Sequence, residues 1–264
     1  GYLVNSGNGS LDAFRSSGDA SVLYIASHAA VSGGPLFPHR LPAYAISTGE
    51  EIVSSGCAAA DTVCELNWGE RVQGLLLVAV WGGKPHWGVT GAFVKKYWSF
   101  ATDSLVFLDA CSSAGNFQEV KDFRKALAEI NPPPGTVLGW DSVVPIDATG
   151  PAMFFFDRVL GANSYQPETP PQRPFNYVEV WENMEQTGRS HVLSLFNGKF
   201  NDAHLLLEQL SANPGILDPT IENMVIYEVT DELILLGMFG TEKGGVTVQG
   251  TDCPVKTDGW APDK

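Results

Sequence analysis

Hydrophobic positions along the chain fall into two kinds of run. The first kind is short, with a continuous apolar stretch at its centre. Ser21–Ser27 (Ser-Val-Leu-Tyr-Ile-Ala-Ser), Gly74–Val80 (Gly-Leu-Leu-Leu-Val-Ala-Val) and Asp103–Ala110 (Asp-Ser-Leu-Val-Phe-Leu-Asp-Ala) are runs of this kind, and Thr136–Trp140 is a shorter one. A strand that reads apolar throughout is buried on both faces, which is the mark of a parallel sheet covered by helices. The second kind has helical spacing. Thr90–Trp98 places Phe93, Val94 and Tyr97 on one side behind Thr90 as N-cap. Phe117–Ile130 repeats apolar residues at 120, 123, 127 and 130, and stops at Asn131 and Pro132. Pro151–Leu160 and Phe175–Gln186 complete the set. Tyr44–Thr48 reads as a short strand, and Thr48–Glu51 as the opening of a short helix. Strands alternating with helices predict an α/β fold, a mostly parallel sheet flanked by helices.

The pattern changes after residue 212. Asn213-Pro214-Gly215 and Asp218-Pro219 break the chain. Asn223–Thr230, Glu232–Gly237 and Gly244–Gly250 are then short β-prone runs between turn residues, with no helix between them. Residues 1–212 are therefore expected to form one α/β domain and 213–264 a small all-β segment.

Composition narrows the function classes. The 264 residues carry 16 Lys and Arg against 30 Asp and Glu, a formal charge of −14. Such a surface repels phosphate backbones and anionic lipid, so neither nucleic acid nor a membrane surface is an expected partner. No apolar run approaches the roughly 18–20 residues of a membrane span, so membrane insertion is not expected. Charged residues make up 17%, below the usual ~25%, and Gly (28) and Pro (17) are frequent. This balance favours a location outside the cytosol. Of the four cysteines, Cys57 and Cys64 close a short loop and are expected to pair if the protein is exported. No Cys/His spacing fits a structural zinc, and neither a metal nor another cofactor is expected.

Two reactive side chains follow predicted strands. His28 follows Val22–Ala26, and Cys111 follows Leu105–Leu108. Open α/β sheets place their ligands at the C-terminal strand ends. A thiol beside an imidazole at such ends is the equipment of nucleophilic catalysis on a carbonyl. Small residues surround Cys111 (Ala110, Ser112, Ser113, Ala114, Gly115), leaving room for a substrate backbone. Taken singly, Cys111 also reads as a buried structural thiol and His28 as a hydrogen-bonded loop residue.

The blocks Val22-Leu-Tyr-Ile-Ala-Ser-His28-Ala29 and Leu105-Val-Phe-Leu-Asp-Ala-Cys111-Ser-Ser resemble the signature of caspase-like cysteine peptidases: hydrophobic strand, His-Gly, spacer, hydrophobic strand, Ala-Cys. Gly135–Asp141 and the following helix resemble what succeeds the cysteine in the bacterial gingipain-, clostripain- and CHAT-like members. The resemblance spans residues 20–190. It implies a caspase-like fold and a cysteine endopeptidase acting on protein or peptide, with Cys111 as nucleophile and His28 as general acid/base. It also implies that Ala29 and Ser112 lie by the oxyanion, and that Asp109 and Asp141 line the substrate pocket. An acidic residue at the place of Asp109 selects Arg or Lys in clostripain-like members; the plainer reading is a carboxylate capping a neighbouring loop. Asp147 is a weaker pocket candidate, and Trp140 reads as core.

Two features depart from the family pattern. Ala29 stands where the family has Gly, and 83 positions separate the histidine from the cysteine, enough for an extra strand. The spacer raises His86 as a rival base. The same features favour an alternative function, a catalytically inactive caspase-like scaffold or surface-display domain. Glu232–Gly250 resembles the opening of an IPT/TIG immunoglobulin-like module, which implies a secreted or cell-surface protein with further Ig-like modules in the same chain.

Overall fold

The computed structural model describes residues 3–4, 9–32, 42–53, 61–81, 83–144, 149–159, 177–196, 199–210 and 224–228. In chain order the elements are β1 (Leu3–Val4), α1 (Leu11–Arg15), β2 (Ala20–Ser27), β3 (Ala29–Ser32), β4 (Ala43–Glu51), α2 (Thr62–Gln73), β5 (Leu76–Trp81), β6 (Lys84–Thr90), α3 (Gly91–Tyr97), β7 (Phe100–Ala110), α4 (Gln118–Ala128), β8 (Thr136–Trp140), α5 (Thr149–Val159), α6 (Tyr177–Thr187), β9 (His191–Phe196), β10 (Lys199–Gln209) and β11 (Met224–Glu228).

The fold is mixed α/β. The main sheet has the order β1-β11-β2-β7-β8-β10-β9. From β1 to β8 the neighbours run parallel, and β10 and β9 close one edge antiparallel. Strands β2 and β7 form its centre, and their side chains alternate between two cores. Leu23, Ile25, Val106 and Leu108 face a cluster with Phe14 of α1, Phe93 of α3 and Phe123 of α4. Val22, Tyr24, Leu105 and Phe107 face the opposite cluster, with Phe154, Phe155 and Phe156 of α5 and Val180 and Met184 of α6. Each of these large side chains is removed from water, worth about 1.5–3 kcal/mol apiece before entropy is counted. The uninterrupted apolar runs at 21–27 and 103–110 have this cause.

Four elements differ from the sequence-based expectation. Gly74–Val80 was expected as a buried strand; β5 is instead the edge of a second, antiparallel sheet of order β3-β4-β6-β5, and Val80 is exposed. Thr48–Glu51 continues β4 as strand and opens no helix. Thr90 stands at the α3 N-cap without capping it, because its hydroxyl bonds the Gly74 and Leu75 carbonyls. The segment 224–228, expected in the separate β module, forms β11 inside the main sheet, where Met224–Glu228 pair with Val22–Ala26. β propensity states that a segment is a strand, and its partners decide which sheet takes it.

Helix α2 is capped at both ends: the Asp61 carboxylate accepts from Cys64 N–H, and Gly74 takes the left-handed φ of 81° that closes the C-terminus. It turns polar residues inward. Buried Asn67 and Glu70 both receive Arg15 of α1, at 2.5 and 2.7 Å. Cys64 is disulfide-bonded. Its expected partner Cys57 lies outside the described residues, as do Asp147 and the stretch Glu232–Gly250 read as Ig-like. Among the described residues no helix is long and apolar enough to cross a membrane.

Candidate functional site

The register of β2 against β7 sets the site. These parallel strands pair residue by residue from Val22 with Leu105 to Ser27 with Ala110. The next residue of each strand is His28 and Cys111. Two backbones about 4.8 Å apart therefore release an imidazole and a thiol at the same level of the sheet's C-terminal edge.

Cys111 sits on a turn held from several sides. Ser112 takes a left-handed φ of 55°. Its amide donates to Ser142 C=O (2.8 Å), and the Ala114 amide donates to Trp140 C=O (2.7 Å). The Ser113 hydroxyl donates to Leu108 C=O and accepts from Trp140 N–H. This crossing of β8 explains Gly139: a Cβ there would lie 2.7 Å from Ser113 Oγ. The small residues around Cys111 let the turn pack closely on β8. Tyr44 Oη donates to the Cys111 carbonyl at 2.9 Å.

The Cys111 thiol is half-buried and donates to Val144 C=O at 3.4 Å. Burial pushes its pKa up, and the nearby charge of Asp109 adds to it. The His28 ring lies against Trp81, with centroids 5.0 Å apart. Burial, and then the proximity of His86, lower the pKa of His28. Both groups are neutral at pH 7, the thiol packed against the core that holds α5 and α6 and the imidazole against Trp81, which packs on the opposite core. Among the described residues no hydrogen bond joins them.

His86, the rival base, is only 4% exposed, its Nδ1 lies 3.0 Å from Lys84 C=O, and its ring stacks on Trp81 with centroids 4.1 Å apart. Trp81 contacts both histidines and is itself anchored by an indole N–H bond to Ser47 Oγ.

The expected binding residues have mixed fates. Ala29 pairs with Ile46, while Ser47 N–H donates to His28 C=O at 2.8 Å. Bonded and unbonded residues alternate along an antiparallel ladder, so the Ala29 N–H turns away from β4. It points off the edge of the small sheet, as an oxyanion donor must. The Ser112 amide is already engaged by Ser142. Asp141 ties β8 to β10: its Oδ1 accepts from His204 N–H, and its own N–H donates to His204 C=O.

Asp109 is 7% exposed, and both its oxygens are taken, Oδ2 by Tyr24 Oη and Oδ1 by Trp140 Nε1, each at 2.7 Å. Burial raises its pKa to about 6 against the pull of these two bonds. The free, bidentate carboxylate expected in a pocket is absent from this arrangement. A cavity of about 390 Å³ lies elsewhere, between β4, α3 and α4, lined by Tyr44, Thr90, Lys95, Phe123 and Glu129 among others. It does not reach Cys111 or His28.

Two features had no signal in the sequence. Trp81 is one. The other is a cluster of Glu185, His191 and His204, brought together from α6, β9 and β10. No linear zinc spacing exists because each residue comes from a different element. Neither a family model, a curated protein nor a solved structure matches the chain.

Proposed function

We propose that this chain is a cysteine endopeptidase of the caspase-like kind, exported or displayed at a cell surface, with Cys111 as nucleophile and His28 as general acid/base. One observation carries the reading: the pairing of Ser27 with Ala110, which sets His28 and Cys111 at neighbouring ends of parallel strands. The reaction follows from the groups present. The Cys111 proton passes to His28 as sulfur bonds to the scissile carbonyl carbon. The developing oxyanion meets the outward amide of Ala29. His28 then gives its proton to the leaving amine as the C–N bond breaks, and water, deprotonated by His28, cleaves the thioester. A preference for Arg or Lys beside the scissile bond belongs to the same reading. Asp109 supports it through the field of its charge, two residues before Cys111, and not through direct pairing. The Ig-like reading of 232–250 rests on the sequence pattern alone.

A second reading, a non-catalytic caspase-like scaffold, is favoured by one observation: the Cys111 thiol is turned to Val144 C=O and held above its ordinary pKa.

The test is a panel of peptides varied at the residue before the scissile bond. Cleavage that vanishes in Cys111→Ala carries the peptidase reading. Cleavage that survives Cys111→Ala, or none by folded protein both before and after limited proteolysis, overturns it.

A further inference from the structure

We propose that Glu185, His191 and His204 form a binding site for a divalent first-row transition metal of the zinc class, separate from Cys111 and independent of the peptidase reading. The three side chains come from the last turn of α6, the first residue of β9 and the middle of β10. His191 and His204 lie directly opposite each other on the β9–β10 ladder, so they share a face. Their rings stack with centroids 4.3 Å apart and planes inclined by 14°. Glu185 Oε1 lies 2.7 Å from His204 Nε2. One donor atom from each of the three lies within 4.8 Å of the other two. Donors on a tetrahedral zinc are about 3.3 Å apart, given bonds of about 2.0–2.1 Å. Rotations of these side chains alone cover that difference.

The donor set selects the class of ion. Two imidazoles and a carboxylate suit zinc and its neighbours, whereas calcium and magnesium take oxygen ligands. Asp202 supplies the outer partner such sites use. It follows the two histidines by one step on the same face of the ladder, opposite Leu193, and its Oδ1 lies 3.2 Å from His191 Nδ1. A carboxylate on Nδ1 holds the proton there and leaves Nε2 of His191 as a lone pair. At His204 the metal takes the place of the proton that Nε2 shares with Glu185.

The framework is braced before any ion arrives. Arg189 N–H donates to Met184 C=O, and Leu205 N–H donates to Ser190 C=O, tying the α6–β9 turn to β10. Both backbone groups of His204 are bonded to Asp141. The side chains of Glu185 and His204 are each 28% exposed and that of His191 42%, so an ion enters from solvent and keeps room for a water as further ligand.

The test is titration of the full chain with Co²⁺, read by its visible absorption, and with Zn²⁺ by calorimetry. Wild type, Cys111→Ala, His191→Asn, His204→Gln and Asp202→Asn are compared, with circular dichroism confirming that each is folded. The expected result is one ion per chain, unchanged in Cys111→Ala and undisturbed by excess Ca²⁺ or Mg²⁺. Asp202→Asn weakens binding by roughly 10–100-fold, and each histidine variant by at least as much. Equal affinity in the histidine variants and wild type overturns the site. So do cobalt bands of thiolate character that vanish in Cys111→Ala, and so does binding only at millimolar metal.

Discussion

Replacing His28 with Ala lowers kcat/KM for peptide hydrolysis by about 10²–10⁴-fold, the span that one positioned acid/base group contributes. His86→Ala stays within about tenfold of wild type. The asymmetry follows from position. His28 succeeds β2 beside the residue that succeeds β7, whereas His86 lies within β6, buried behind Trp81 with one ring nitrogen at Lys84 C=O. Both rings contact the Trp81 indole, so the loss of His86 loosens a ring stack and lessens a charge effect on His28 without removing a proton carrier. Steady-state kinetics on folded variants decides the matter. A larger fall for His86→Ala than for His28→Ala transfers the acid/base role to His86.

Asp109→Asn removes a pH dependence of stability worth about 3 kcal/mol. In the folded protein burial raises this carboxyl from 3.8 to about 6. At 1.36 kcal/mol per decade, that difference is the free energy by which folding favours the protonated form. The stabilisation is fully present below about 3.8, where both states hold the proton. As pH rises through the window to about 6, the unfolded chain has released the proton and the native state still binds it, so stability falls. Above about 6 the cost of the buried charge is complete. Asn keeps the environment: its carbonyl accepts from Trp140 Nε1, and its amide donates to Tyr24 Oη. Urea denaturation at pH 4 and pH 8 measures the effect as the difference between wild type and variant, which cancels the other titrating groups. An equal pH slope in both proteins shows that Asp109 is ionised across the whole range. The same substitution withdraws a negative charge from Cys111 and lowers its thiol pKa.

What the sequence showed of this fold depended on whether local pattern and tertiary role agreed. Strands β2, β7 and β8 were legible because both their faces are buried, so their central residues, Val22–Ala26, Leu105–Leu108 and Val137–Trp140, are nonpolar without a break. Helix α4 was legible because Val120, Phe123 and Leu127 face one core. Helix α2 escaped because its pattern is inverted: Asn67 and Glu70 point inward to Arg15, while Val63 and Leu66 are exposed. Strand β6 escaped because Pro85 and Gly88 read as loop. Gly88 is there for close packing, since a Cβ would stand 3.3 Å from Ala45 Cβ. Strand β3 begins one residue after β2 ends, with no breaker between them, and only its pairing with β4 marks it. Of the site, His28 and Cys111 were legible because each directly follows an apolar strand. That they succeed neighbouring parallel strands was not, since it needs the β2–β7 register. The engagement of Asp109 by Tyr24 and Trp140, and the meeting of Glu185, His191 and His204, arise from partners between 6 and 85 positions away on different elements. No window of sequence displays such partners.

The pairing of Cys111 with His28 is tested most directly by a peptidyl acyloxymethyl ketone carrying Arg next to the reactive carbonyl. The labelled residue is located by mass spectrometry, and iodoacetamide serves as the control for simple thiol exposure. The expected result is one label per chain, on Cys111, formed far faster than alkylation by iodoacetamide, slowed in His28→Ala and retained in His86→Ala. Labelling of Cys111 no faster than a denatured thiol, or at the same rate in wild type and His28→Ala, contradicts the account.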